Sequence, residues 1–335
     1  MILTRAATPA ELDDFCRFTG SAPLTPNAPS IRQADAHYMV RSQAAAILAR
    51  CSLWWSSAPA YPEHRLGLIG HYAAQDDAAA ALLLDHVCRQ LAERGCTLAA
   101  GPMDGSTHRH YRFVTERAVD GIARPPFFLE PDNPDAWPVQ FARAGFTPLA
   151  HYFSAIGDLP APDPRLPALV ERCAAAGITV RPVDLDAFDL ELQSIYTVVA
   201  AAFQTNFLYT PIDRAEFLAQ YAPVRPHIRP ATTLIAEQSG AAVGFAFSLP
   251  DLAQAQRGQQ IDTLIIKTVA VRPEVSGLGL GSLLTARVHE AAAALGFRHA
   301  VHALMHETNR SRHISAHTAK TMRRYTLYSR PLAAG

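Results

Sequence analysis

The chain has 335 residues, 49% of them apolar, and 30 Lys and Arg balance 30 Asp and Glu. That much apolar material suffices for two domains with cores of their own and excludes wholesale disorder. A formal net charge of zero leaves no general pull toward nucleic acid or an anionic membrane.

The first residues run from Met1 into Asp and Glu without a long apolar core, so no secretory leader is expected. The apolar block at 79–84 is far too short to span a membrane. A strand is predicted over 64–72, then an amphipathic helix over 78–94 with Leu84, Val87, Cys88 and Leu91 on one face. Gly95 stops that helix, and a strand follows over 96–100. Further on, 137–146 reads as a short helix closed by Gly145 and 149–156 as an apolar strand. Residues 158–167 hold four prolines and read as a semi-rigid linker. Beyond it come a strand over 178–183, helices over 187–203 and 212–221, and a hairpin of 233–238 and 242–248 turning at Gly240. A β-branched strand over 264–271 leads into a turn with Gly277, Gly279 and Gly281, then a helix whose face carries Leu284, Val288, Ala291 and Leu295. A strand over 300–305, a short helix over 309–318 and a terminal strand over 325–329 complete the pattern.

The two halves share this plan. Setting Gly95 against Gly296 brings Leu82 and Leu83 onto Leu283 and Leu284, and Ala78 and Ala80 onto Gly279 and Gly281. The first half keeps the helix and loses the glycines, and it places Asp76 and Asp77 directly before that helix. Carboxylates there satisfy the helix dipole and repel a phosphate.

Strand, glycine turn and helix N-terminus in series make an anion site, because outward N–H groups, the helix dipole and missing Cβ atoms act together. No Lys stands in the turn, which excludes a P-loop, and Ser282 occupies the third glycine position of a dinucleotide fingerprint. The turn resembles the pyrophosphate loop of the GNAT acyltransferase superfamily, whose pattern is Arg or Gln, two residues, Gly, one residue, then Gly or Ala. Gly279 and Gly281 match the small positions, while Ser276 stands in place of the Arg or Gln. The order of the second half, antiparallel strands first and then a parallel β-turn-α-β, is similar to that family's.

The resemblance implies an α/β (α+β) fold of two GNAT-like domains in tandem, each a mixed, mostly antiparallel sheet flanked by helices. Residues 1–157 would be a degenerate copy, 158–167 the linker, and 168–335 the acyl-CoA-binding catalytic domain. It implies acetyl-CoA or another acyl-CoA as cosubstrate, held by Val269, Ala270 and Val271 of the strand, by Ser276, Gly277, Leu278, Gly279, Leu280, Gly281 and Ser282 of the turn, and by Asn309. Many relatives carry a Tyr acid seven residues after that Asn, but position 316 is Ala, so Tyr325, Tyr328 and His317 are the substitutes. Glu307, just past the fifth strand, is the first choice of base, with His306 the alternative. Phe207 and Tyr209 are expected in the acceptor pocket, or else are plain core and cap residues. Arg310, Arg312, Arg323 and Arg324 form either a contact for the adenosine 3′-phosphate or a solvated face. His302 with His306, and His313 with His317, lack a Cys or a His-Glu-x-x-His pattern, so no metal is expected. Cys16, Cys51, Cys88, Cys96 and Cys173, without a Cys-x-x-Cys pair, read as free thiols of a cytoplasmic protein.

The implied activity is N-acylation of a small-molecule or peptide amine, with no nucleic-acid or membrane partner; a homodimer is compatible with the sequence. A non-catalytic acyl-CoA or small-ligand binding module is the alternative, favoured by Ser276 and Ala316.

Overall fold

The computed structural model describes residues 1–160, 163–308 and 319–333. The chain opens with β1 (Ile2–Arg5) and α1 (Pro9–Cys16), a helix started by a reciprocal Thr8–Glu11 capping box with Pro9 in the first turn. A short α2 (Pro29–Arg32) leads to the antiparallel meander β2 (Ala36–Arg41), β3 (Ile47–Trp54) and β4 (Leu66–Ala74). The crossover helix α3 (Asp77–Glu93) carries the chain to β5 (Leu98–Gly101), which lies parallel to β4. Then come β6 (Phe113–Glu116), α4 (Ala136–Arg143) and β7 (Thr147–Asp158).

The second half repeats the plan after α5 (Leu166–Ala175), whose first turn takes Leu166 and Pro167 out of the proline-rich stretch. Its strands are β8 (Ile178–Pro182), β9 (Leu234–Gln238), β10 (Ala241–Pro250), β11 (Thr263–Val271), β12 (His299–His306) and β13 (Lys320–Pro331). Helices α6 (Phe188–Ala202) and α7 (Arg214–Tyr221) follow β8, and a short α8 (Leu252–Gln256) precedes β11. Helix α9 (Leu280–Ala294) crosses from β11 to the parallel β12. Its buried stripe is Leu280, Leu283, Leu284, Val288 and Ala292, whereas Leu295 is exposed. The predicted face had included Leu295; the helix ends at Ala294, and Leu295 is its cap before Gly296 at φ +88.

Among the described residues thirteen strands join one sheet in the order β1-β2-β3-β4-β5-β13-β7-β12-β11-β10-β9-β8, with β6 paired to β13 beside that path. Two sheets, one per half, are what the sequence suggests; the last strand of each half instead enters the other half. β7 pairs with β12, β13 pairs with β5, and the two run antiparallel to each other with Tyr325 opposite Tyr152. One core cluster therefore mixes Trp54, Leu68, Met103 and Val114 of the first half with Leu208 and Tyr325 of the second. The five cysteines are buried and free. No helix among the described residues is long and apolar enough to cross a membrane.

Under α9, His289 meets His302 of β12 with Nε2 atoms 3.2 Å apart. Burial holds both imidazoles neutral, His289 down to about 4 and His302 to about 3. The unfolded chain binds these protons near pH 6.5 and the native chain does not, so this stability is complete above pH 6.5 and is lost as pH falls. Denaturant titrations between pH 6.5 and 4 should show a decline of roughly 3 kcal/mol per histidine, shallower in His289→Gln. A variant profile parallel to that of the unmodified protein would refute the assignment.

Candidate functional site

β11 and β12 pair only from Thr263 opposite His299 to Ile266 opposite His302. Two irregularities then part them. The register of β11 on β10 skips Lys267, a bulge, and Leu304 in β12 takes a left-handed φ of +60 where the register on β7 shifts. The strands leave a wedge, β11 staying with β10 and β12 with β7.

The glycine turn follows β11. Gly277 has φ +94, and a Cβ there would meet nothing within 4 Å. Gly279 has φ +82 and is the N-cap of α9, with no side-chain cap and no acid in the first helical turn. A Cβ on Gly279 would lie 2.5 Å from Leu169 Cδ2 of α5 and 3.9 Å from an Arg172 guanidinium nitrogen. Position 279 thus needs glycine for its backbone and for the close approach of α5. The first-turn N–H groups of α9 have no partner inside the helix, and the open turn fits an oxyanion. The equivalent end of α3 is closed: the Asp76 carboxylate accepts from Ala79 N at 2.7 Å, and Asp77 is held by Gln140 and Arg143.

The strand exchange separates the residues expected on β13 from those of β11 and the turn. Val269, Ala270 and Val271 end β11 beside the wedge, and Ser276 to Ser282 form the turn. Glu307 lies at the end of β12 and pairs with Arg324 at 3.2 Å, which in turn reaches Glu116. Tyr325 is fully buried and its hydroxyl donates to Glu130; burial first, then the Glu130 charge and hydrogen bond, raise it well above the ordinary phenol range. A proton so committed is not offered to a departing thiolate, a correction to its expected role as acid. Tyr328 is also corrected: β13 carries it into the first-half core against Phe113 and Phe141, away from the wedge. Arg323 is buried rather than solvated, 3.3 Å from Glu130. His302 and His306 do not share a face, because the left-handed Leu304 between them turns the strand. Phe207 packs on Tyr61 and the His306 ring, and Tyr209 on His108, so that loop bridges the halves. Asn309 and His317 lie outside the described residues, as do Arg310, Arg312 and His313.

The sequence reading missed what the first half brings across. The segment between β6 and α4 runs over the second half, where Phe127 packs on Ile265, Val301 and Met322. Phe128 N donates to Asp251 and Lys267 Nζ to the Leu129 carbonyl, at 2.8 and 3.1 Å. Glu130 closes a hydrogen-bond chain. Leu304 N donates to Ser154 Oγ, Ser154 lies 3.0 Å from the Tyr325 hydroxyl, and Tyr325 donates to Glu130. Burial, only partly offset by Tyr325 and Arg323, pushes the Glu130 carboxyl up to about 6. Nothing periodic marks Glu130; the Pro125-Pro126-Phe127-Phe128 run before it is the only local signal of a rigid apolar strap. Beside the strap, at the opposite ends of β11 and β12 from the glycine turn, lies a cleft of about 620 Å³ with Phe127, Val301 and Met322 in its floor and Asp120, Arg257 and Lys320 among its charged lining. Among the described residues no group of three or more His, Cys, Asp or Glu side chains could hold a metal.

Residues 192–319 match the family model described as the acetyltransferase (GNAT) family. A bacterial ceramide synthase from Caulobacter vibrioides is 27% identical over 203 residues, 59% of this chain and 51% of that protein, so the chain spans about half the length of this curated relative. Two solved structures share the fold. A tandem GNAT protein from the clavulanic acid biosynthesis pathway is 14% identical, with TM-score 0.52 over 100% of this chain and 99% of that one. A probable N-acyltransferase from Enterococcus faecalis V583 is 8% identical, with TM-score 0.57 over 99% and 72%.

Proposed function

We propose that this chain, whose residues 192–319 carry a GNAT acetyltransferase domain, is an acyl-CoA-dependent N-acyltransferase that transfers the acyl group directly from the thioester to a primary amine. The observation that carries this reading is the wedge between β11 and β12, which ends at an uncapped helix turn with two left-handed glycines. An acyl-CoA bound there would supply the thioester for the amine to attack. The N–H groups of Leu280, Gly281 and Ser282 would take the pyrophosphate, with Arg172 beside the turn where Ser276 offers no cation. Acetyl is the first acyl group to test. Glu307 or His306 at the end of β12 would take the ammonium proton, and the Phe207–Tyr209 loop would shape the acceptor side.

Incubation with acetyl-CoA, longer acyl-CoAs and a panel of amines should release free thiol above background; the name of the Caulobacter relative puts sphingoid amines on that panel. Binding without thiol release from any pair would favour a non-catalytic acyl-CoA binding module. Because Asp76 and Asp77 close the α3 terminus, calorimetry should count one CoA per chain. Two equivalent sites would overturn that division of labour between the halves.

A further inference from the structure

Where β11 and β12 part, buried positive charge outnumbers negative. Arg112 follows β5, is 6% exposed, and has its guanidinium carbon 4.0 and 4.2 Å from the ring centroids of Tyr111 and Tyr152, which meet edge to face at 85°. One of its terminal nitrogens reaches the Leu304 carbonyl at 3.5 Å, and its Nε is buried with no partner. Lys267, on the bulge of β11, is half-buried and spends one N–H on the Leu129 carbonyl. Arg112 is near enough that its charge, added to burial, pulls the Lys267 amine down to about 8. Arg323 is 1% exposed, and two of its nitrogens lack hydrogen-bond partners.

The facing groups from each neighbouring element do not balance this. The Glu130 carboxylate acts on Lys267 without pairing with it, and its oxygens already accept from Tyr325 and Phe127 N beside Arg323. Glu307, at the rim, is paired with Arg324. Burial and the Arg112 charge lower the His306 imidazole, so it adds no further positive charge, and its Nε2 is buried without a partner. Among the described residues no carboxylate forms an ion pair with Arg112 or Lys267. A buried cation without a counter-charge, and buried N–H groups without acceptors, are both costly arrangements that an oxyanion would relieve together. A guanidinium confined in the corner between two rings has little freedom to turn, and its planar set of N–H donors suits a carboxylate or phosphate.

We propose that Arg112 and Lys267 form an anion site between the two halves, and that it receives the carboxylate or phosphate ester of the acyl acceptor. The acceptor is then an amine that also carries a negative group. The second clause rests on the acyltransferase reading; the anion site itself does not.

The test is calorimetry on the full chain with inorganic phosphate and with acetate at constant ionic strength. At least one should bind, and Lys267→Met should weaken it at least ten-fold. Lys267 reaches the surface and makes one carbonyl contact, so this variant should fold; Arg112→Lys keeps charge but loses the planar edge and should weaken binding as well. Phosphate binding should survive Ser282→Asp, which alters only the glycine turn. Tighter phosphate assigns a phosphate ester, tighter acetate a carboxylate. Binding of neither ion, binding indifferent to Lys267→Met, or phosphate binding lost in Ser282→Asp would overturn the site. Acetyl-CoA titrated in parallel separates the two readings: thiol release with only uncharged amines would sink the acceptor clause, while absence of acetyl-CoA binding would sink the acyltransferase reading and leave the anion site standing.

Discussion

Expressed apart, residues 1–157 and 158–335 should each aggregate or remain unfolded, and expressed together they should yield one soluble complex. β13 lies between β5 and β7, and β7 lies between β13 and β12, so either half alone loses the strand that completes its sheet. With β13 the first half would lose the burial of Met322, Tyr325, Leu327 and Tyr328. Each such side chain contributes about 1.5–3 kcal/mol, and four of them are comparable to the ~5–15 kcal/mol of a whole domain. The exposed edges of β5 and β12 would also invite pairing with other chains. Size-exclusion chromatography and circular dichroism of the separate and co-expressed halves would check this. A monomeric, cooperatively unfolding half would show that each half can take its own last strand back.

The second large effect concerns the glycine turn. Ser282 is the third residue of α9, where an acidic side chain favours the helix by about 0.3–1 kcal/mol. The same carboxylate would stand against a pyrophosphate. Ser282→Asp should therefore raise the Kd for acetyl-CoA at least ten-fold, about 1.4 kcal/mol, with an unchanged or slightly higher Tm. Opposite signs for fold and ligand make the test clean. Gly279→Asp would be less informative, because its Cβ would strike Leu169 and its φ of +82 would strain any other residue. If Ser282→Asp binds acetyl-CoA as the unmodified chain does, the turn is not the pyrophosphate site.

What could be read from the sequence is what local chemistry determines. The strand before the glycines, the turn and α9 show in the β-branched run, the missing side chains and the helical period, all within about thirty residues. The same holds for α3, whose predicted face of Leu84, Val87, Cys88 and Leu91 is buried. Partnership between strands has no such signature. Nothing in residues 320–331 distinguishes a strand beside β12 from one beside β5, and Tyr328 was misplaced for that reason. Glu130 and Arg112 were invisible because both lie on irregular segments whose destinations are set by the exchange. Lys267 sits inside a segment read correctly as a strand, but a bulge is decided by the neighbouring strand's register.

The antiparallel pair of β7 and β13 has a consequence for how the two halves can diverge. Tyr152 and Tyr325 face each other across an approximate two-fold axis, as equivalent residues would in a dimer that trades strands. In a true homodimer every residue beside such an axis occurs twice, and one side chain must suit both surroundings. A single chain is free of that restriction. Here Tyr325 bonds Ser154 and Glu130, while its counterpart Tyr152 stacks on Arg112 and touches the His306 ring. Two copies of one strand position thus work in different trades, one in a hydrogen-bond chain and the other as a cushion for a cation. The tether between β7 and α5 also keeps each half at high effective concentration toward the other, which disfavours exchange with a second molecule.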